Sequence, residues 1–351
     1  MESLRERDGK LVENWYVACL SQEIAPGEVL QRVIYDRPYA IFRTKSGSVG
    51  VLPDRCLHRL ALLSQGEVRG EHLACMYHGW EYATDGKVAR IPAEDPAGQE
   101  QAKHCARKLP VVEQDGAVWV WTGEGAPAGP PPWRFPYAED SAWQHYFMIT
   151  DFPNEATHLA ENFMDVPHTV YVHRGWFRDE KTARTRIPHT VATKQGRVLV
   201  TYQQDEDEFS WGAKLLLNAG GKKMKHTDEF IFPNLTRVDY WFGENGFIIN
   251  SQVTPVSTLS SRVYTYIAYK IPWGGKLLKP LFGFYTRQVI EQDVEIMHNQ
   301  GSSLRFDDTL AFRSTPADEL HVQIERLRHY GKIGSDRLWQ HESYKEAAFW
   351  I

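Results

Sequence analysis

The segment Asp54-Arg-Cys-Leu-His58, followed after residues 59–74 by Cys75-Met-Tyr-His78-Gly-Trp80, decides how this chain is read. It presents Cys-x-His and Cys-x-x-His, so two loops each offer one thiolate and one imidazole. A lone Cys/His pair is most often buried packing, because free cysteine behaves as a small apolar residue. Two such pairs in one turn-rich segment point instead to a metal. Structural zinc also takes two thiolates and two imidazoles, but its knuckles pair like with like, as Cys-x-x-Cys or His-x-x-x-His. Here each loop splits its donors. That suits a [2Fe–2S] cluster in which Cys56 and Cys75 go to one iron and His58 and His78 to the other. Imidazoles raise the potential above that of an all-thiolate cluster, so such a centre can accept and pass single electrons.

Outward from this motif, Trp15 to Trp121 reads as short strands separated by Gly, Asp and Ser turns. Tyr39-Ala-Ile-Phe-Arg43, Gly50-Val-Leu52 and Ala117-Val-Trp-Val-Trp121 are the clearest runs. Residues 1–122 are therefore expected to form a small all-β domain. Gly123 to Pro132, ending Gly-Pro-Pro-Pro, has the composition of a stiff connector, and 123–140 is taken as a linker. A glycine-rich nucleotide loop is the competing reading, but a proline run stands where its helix would open.

Residues 141–351 read as α+β, a sheet with helices packed on it. The spacing predicts a helix around Glu155 to His173, strands through Tyr266, a helix from Pro280 to Gln300 and a last helix. That last helix has Thr315 as cap, Pro316 in the first turn, Asp318 at the capping-box position and Gly331 after its end.

A second constellation lies in this part. Asn162, Asp165 and His168 fall at i, i+3 and i+6, a polar stripe flanked by Leu159, Phe163, Val166 and Val170, so it is expected to point inward. His173 stands five residues after His168, about 140° round a regular helix. The two rings can meet one ion only if the helix is distorted or ending, for which Pro167 and Gly175 are causes. On the later helix Val289, Ile290, Asp293, Ile296 and Met297 share a face, from which Glu291 and Glu295 turn away. Asp293 is thus a carboxylate in an apolar stripe, to be neutralised by a metal or by an arginine such as Arg287. With a metal, His168, His173 and Asp293 make the two-histidine, one-carboxylate triad of oxygen-activating Fe(II).

The bulk properties bound the rest. At 351 residues with a formal charge of -5, the chain fits two domains and gives no sign of a nucleic-acid partner. Met1 to Lys10 lacks the apolar core of a secretory signal, and no stretch approaches the ~18 apolar residues of a membrane span, so a cytoplasmic location is expected. Of the four cysteines, Cys19 and Cys105 carry no motif and read as packing or surface residues.

The Cys56-x-His58 and Cys75-x-x-His78-Gly-Trp80 pattern, with Arg59 and Trp80, resembles that of Rieske proteins. Asn162, Asp165, His168 and His173 meet the Asn-x-x-Asp-x-x-His-x-x-x-x-His pattern of the Rieske non-heme iron oxygenases. Gln292-Asp293 is similar to the Gln-Asp form of the ketosteroid and pheophorbide hydroxylase branches, where Glu-Asp is commoner. The resemblance implies an N-terminal all-β Rieske domain and an α+β catalytic domain of helix-grip type. It implies a [2Fe–2S] cluster, a mononuclear Fe(II), dioxygen as co-substrate and a separate reductase or ferredoxin. A homotrimer follows from it, in which Asp165 bridges His78 of one chain to His168 of the next.

Length places the chain closer to vanillate demethylase and phthalate dioxygenase oxygenases than to two-subunit enzymes. Monooxygenation or oxidative demethylation of an aromatic or polycyclic small molecule is expected, with ring dihydroxylation as the alternative. An electron carrier or redox sensor with an apolar ligand domain is the alternative of another class. Trp211, Met224, Trp241, Phe247, Asn250 and Tyr266 are candidates for the pocket lining. Lys222 to Lys225 and Arg59 are candidates for docking an acidic ferredoxin.

Overall fold

The computed structural model describes residues 3–94, 104–176, 185–203, 221–271, 275–306 and 312–351. The chain forms two compact units, Met1–Asp8 with Val12–Arg134, and Gly9–Leu11 with Phe135–Ile351.

Among the described residues the first unit carries one short α-helix, α1 (Leu4–Asp8), and ten strands: β1 (Trp15–Leu20), β2 (Val29–Ile34), β3 (Arg37–Arg43), β4 (Val49–Pro53), β5 (Glu67–Arg69), β6 (His72–Ala74), β7 (Glu81–Tyr82), β8 (Val88–Arg90), β9 (Val111–Gln114) and β10 (Ala117–Trp121). They make three antiparallel sheets, ordered β1-β10-β9, β2-β3-β4 and β5-β6-β7-β8. The run Ala117-Val-Trp-Val-Trp121 is wholly buried because its strand sits in the middle of its sheet. The Cys56 loop leaves β4 and the Cys75 loop joins β6 to β7.

Among its described residues the second unit forms one eight-stranded antiparallel sheet with helices against it. In chain order it comprises β11 (Gln144–Phe152), α2 (Ala156–Asn162), β12 (Arg186–Lys194), β13 (Arg197–Tyr202), β14 (Met224–Ile231), β15 (Leu235–Phe242), β16 (Asn245–Ser257), β17 (Ser260–Lys270), α3 (Gly275–Leu304), α4 (Glu319–Lys332), α5 (Arg337–Gln340) and β18 (Ser343–Trp350). The strand order is β11-β17-β16-β15-β14-β13-β12-β18. Helix α3 runs for 30 residues and buries Phe282, Thr286, Asp293, Met297 and Gly301 along one side. Phe282 stacks on Tyr269, while Met297 packs with Phe152, Val253 and Val263. No helix among the described residues is long and apolar enough to cross a membrane.

Four expectations need correction. The segment Glu155 to His173 is not one helix: α2 stops at Asn162, and Pro167 opens a separate 3-10 turn, Pro167–Val170. Helix α3 begins by Gly275, so Pro280 lies inside it rather than at its start. Gly331 is a buried residue of α4, where an added Cβ would meet the Phe232 ring at 2.2 Å, and Gly334, at φ +65°, follows the helix end instead. Nor is α4 the last element, because β18 returns to pair with β12 from Arg186↔Trp350 to Thr193↔Ser343. The cap itself follows the sequence: Thr315 Oγ1 accepts from the Ala317 N–H, and the Asp318 carboxylate accepts from the Thr315 N–H.

Candidate metal centres

In the first unit the two donor loops repeat one backbone motif. The Leu60 N–H donates to the Cys56 carbonyl and the Gly79 N–H to the Cys75 carbonyl, both at 3.0 Å. In return the Cys56 N–H donates to the Ala61 carbonyl and the Cys75 N–H to the Trp80 carbonyl, both at 2.8 Å. The fourth residue after each cysteine takes a left-handed conformation, Leu60 at φ 62° and Gly79 at φ 70°. The loops are thus pseudo-equivalent, and they differ in placing histidine two residues after one cysteine and three after the other. Asp54 anchors the first loop, accepting from the Ser64 N–H at 2.7 Å and the Ser64 hydroxyl at 2.6 Å.

This arrangement brings the four donors together. Cys56 and Cys75 are buried free thiols, and the His58 and His78 rings lie 4.5 Å apart, with Trp80 stacked on His58. Burial pushes the Cys75 thiol pKa up, while the Tyr77 and His78 backbone N–H groups aimed at its sulfur pull the other way. His58 is pushed down by burial, then by His78 and Arg59. The Tyr82 hydroxyl accepts from the Leu57 N–H at 2.9 Å, which leaves its proton for the Cys56 sulfur at 3.2 Å. Two soft sulfurs, two imidazoles and a hydrogen bond already aimed at sulfur fit a Rieske cluster. Cys19 is buried, its thiol pushed up by desolvation to about 12, and Cys105 is exposed.

In the second unit, three donors converge from two elements. His168 sits on the turn that Pro167 opens, His173 follows it, and Asp293 comes from α3. His168 Nε2 and His173 Nε2 are 3.2 Å apart and lie 3.5 and 3.2 Å from Asp293 Oδ1. Donors about 2.1 Å from a shared ion span edges of this length. Asp293 Oδ1 is buried with no hydrogen-bond partner among the described residues, as a metal-ligating oxygen would be. Arg287 does not neutralise it, since its guanidinium donates to the Thr150 hydroxyl and the Ile149 carbonyl. The break at Pro167 replaces the helical distortion that the five-residue spacing demands.

Groups around the donors orient them. His173 Nδ1 lies 3.0 Å from Gln292 Oε1, an oxygen that can only accept, so Nδ1 carries the proton and Nε2 keeps its lone pair for a metal. Asp165 Oδ2 lies 3.5 Å from His168 Nδ1. Burial disfavours the His168 cation, but Asp165 and Asp293 overturn this and hold its pKa at about 9. Burial would likewise raise Asp293, yet the two imidazoles bring it below its ordinary value.

Two cavities meet these donors. One, of about 310 Å³, is lined by His158, Glu161, Asn162, Asp165 and His168 and by residues of α4. The other, of about 120 Å³, reaches all three donors and is walled by Asp228, Val238, Tyr240 and Ile249 of the sheet and by Val289 and Ile290 of α3. None of the described pocket candidates lines it. Met224 and Phe247 belong to a core cluster with Phe282, and Trp241 packs on Trp143. Asn250 and Tyr266 are register partners on the opposite side of their strands from Ile249 and Ile267, and Trp211 lies outside the described residues. Ile296 is exposed on α3 and lines the larger cavity beside Met297.

Residues 14–113 match the model of the Rieske [2Fe-2S] domain, and residues 155–330, half of the chain, match that of the vanillate O-demethylase oxygenase C-terminal domain. The chain belongs to the Rieske non-heme iron oxygenases. Such a Rieske oxygenase chain carries a [2Fe–2S] cluster in the first domain and a mononuclear iron in the second. It is similar to the oxygenase component of dicamba O-demethylase from Stenotrophomonas maltophilia, 37% identical over 185 residues, 52% of this chain and 53% of the relative. It is also similar to the chloroplastic protein TIC 55 of Arabidopsis thaliana, 32% identical over 208 residues, 58% of this chain and 38% of the relative. The chain thus spans about half or less of the length of these curated relatives. In fold it resembles the crystal structure of dicamba monooxygenase bound to dicamba, with a TM-score of 0.77 at 22% identity, covering 92% of this chain and 98% of that one.

Proposed function

We propose that this chain is the oxygenase component of a multi-component monooxygenase or demethylase that works on an apolar small molecule. In this reading Cys56, His58, Cys75 and His78 hold the cluster, and His168, His173 and Asp293 hold the iron. The observation that carries it is the convergence of those three donors on a buried Asp293 oxygen with no other partner. An electron carrier or sensor would have no use for that arrangement.

The iron supplies dioxygen activation. The protein's part is to hold its donors and to dry the reaction space. Gln292 fixes the tautomer of His173, Asp165 orients His168, and Val238, Ile249, Val289 and Ile290 line the cavity with apolar surface. Per turnover, one dioxygen, two electrons and two protons turn a substrate C–H into C–OH and release water. When the carbon is a methoxy or N-methyl group, the hydroxylated product sheds formaldehyde and leaves a demethylated compound.

The electrons come from a separate reductase or ferredoxin in the cytoplasm, and the working form is a homotrimer. Supporting this, Leu57, Leu60, Leu62, Met76 and Tyr77 form an exposed apolar rim on the two cluster loops, beside exposed Arg55 and Arg59. Glu161, Asp165, Asp318 and Glu325 bring four carboxylates to the 310 Å³ cavity, alongside Arg313 and three histidines. Docking of one copy's rim on the mouth of the next copy's 310 Å³ cavity would put Asp165 between His78 and His168.

The test is an iron and acid-labile sulfide count on the anaerobically purified chain and on Asp293→Ala. Three irons and two sulfides, falling to two irons with the Rieske spectrum intact, are expected. Two irons in both proteins would sink the oxygenase reading.

A further inference from the structure

One buried polar group in the second unit is used by neither centre. Asp228 on β14 faces the inner side of the sheet, between Val200 of β13 and Val238 of β15, and it lines the same 120 Å³ cavity as the iron donors. Its Oδ1 accepts from His226 Nε2 at 2.8 Å and its Oδ2 from the Tyr202 hydroxyl at 2.8 Å. His226 is held between Tyr202 and Tyr240, with ring centroids 4.3 and 4.4 Å away. A carboxylate in an apolar row is expensive, and apolar residues of similar volume would serve stability as well or better.

The group lines the cavity at only 1% exposure and keeps unused hydrogen-bonding capacity. Each carboxylate oxygen has room for two hydrogen bonds, and each here has one partner among the described residues. The Nδ1 of His226, whose residue is only 2% exposed, has no hydrogen-bond partner among the described residues. Thr236 and Ser251 border the same space and extend its polar side, opposite Val289 and Ile290. Among the described lining residues there is no lysine or arginine, whereas Asp165, Asp228 and Asp293 all contribute carboxylates.

We propose that this cavity selects a neutral or cationic molecule with an apolar body and a hydrogen-bond-donating head, which Asp228 receives, and that it rejects carboxylates and sulfonates. The proposal rests on the oxygenase reading and gives its substrate a chemical class. A donor head completes the vacant acceptor positions of Asp228. An anionic head placed there would instead face the buried Asp228 carboxylate with no lysine or arginine among the described lining residues to offset it, a repulsive element that acts as specificity. Tyr202 and His226 act as positioning residues, holding the carboxylate by both oxygens.

Three probes of one shape test it: 4-methoxybenzyl alcohol, 4-methoxybenzylamine and 4-methoxybenzoate. Their binding to the iron-loaded, oxidised chain is measured by saturation-transfer NMR without any turnover. The alcohol and amine are expected to bind at least tenfold more tightly than the benzoate. Asp228→Asn should narrow that gap by tenfold or more, mainly by weakening the amine and admitting the benzoate. The order in the parent needs no variant, so a misfolded Asp228→Asn does not rescue the idea. Benzoate binding as tight as the alcohol, or no binding by any of the three, overturns it. An iron count on the same sample separates the two levels. A chain without its third iron fails as an oxygenase, whereas a fully loaded chain that prefers benzoate refutes only the substrate class.

Discussion

Gln292 gives the most direct test of how the iron site is built. Its side-chain oxygen, 3.0 Å from His173 Nδ1, is the acceptor that fixes the ring's tautomer. Gln292→Leu keeps the approximate volume and removes the acceptor, so a buried N–H is left without a partner. That costs about 1–3 kcal/mol, and the ring is then free to rotate or to change tautomer. Loss of a partner behind a metal-binding histidine typically weakens metal binding 10–100-fold, and the two magnitudes agree, since about 1.4 kcal/mol is a factor of ten. We therefore expect Fe(II) to bind Gln292→Leu roughly 10–100-fold more weakly than the parent, by anaerobic chelator competition on cluster-loaded protein. Gln292→Glu, which keeps an acceptor, should stay within about tenfold of the parent. Nitrogen-15 NMR of the metal-free chain adds a readout independent of affinity. His173 should be a single Nδ1–H tautomer in the parent and a mixture in Gln292→Leu. If the leucine variant binds iron as tightly as the parent and keeps one tautomer, Gln292 does not position His173.

Three further predictions concern other parts of the chain. Tyr82→Phe removes the hydroxyl that points at the Cys56 sulfur and should lower the cluster potential by about 40 mV, the one-electron equivalent of about 1 kcal/mol; an EPR-monitored redox titration with no downward shift would contradict that hydrogen bond. Gly331→Ala drives a methyl group into the Phe232 ring and should cost about 1–3 kcal/mol, read as a lower thermal midpoint with cluster absorbance unchanged before unfolding. Maleimide labelling of the folded protein at pH 7.5 should modify Cys105, which is exposed, and spare Cys19, which is buried with its thiol held near 12; labelling of Cys19 at a comparable rate would show that the β1 core opens.

The proposed cluster donors can be read from the sequence because they are local. Cys56, His58, Cys75 and His78 lie within one turn-rich stretch, and loop chemistry alone brings each pair together. Asp293 was legible for a different reason. Helix α3 is regular, so the 3.6-residue period exposes a carboxylate on its buried side. The same period misled at Asn162, Asp165 and His168, where Pro167 replaces the helix with a 3-10 turn and the residues converge by a bend. Strand β18 was missed because Glu346-Ala-Ala348 suits a helix by propensity, and only pairing with β12 makes it a strand.

What escaped the sequence was consistently the group one step behind a donor. Tyr82 is 26 residues from Cys56, and Gln292 is 119 residues from His173. The wall of the smaller cavity draws on β14, β15, β16 and α3 at once. Which side of each strand faces that cavity depends on register, and a shift of one residue would exchange Ile249 for Asn250. The candidates chosen for aromatic character therefore fell into core clusters, while the cavity took Asp228, Thr236 and Ser251. The candidate donors are thus written in short motifs, which carry the proposal that iron is held. Substrate preference is written in long-range register, which is why Asp228 emerges only from the folded sheet and why probe binding bears on it more directly than any motif.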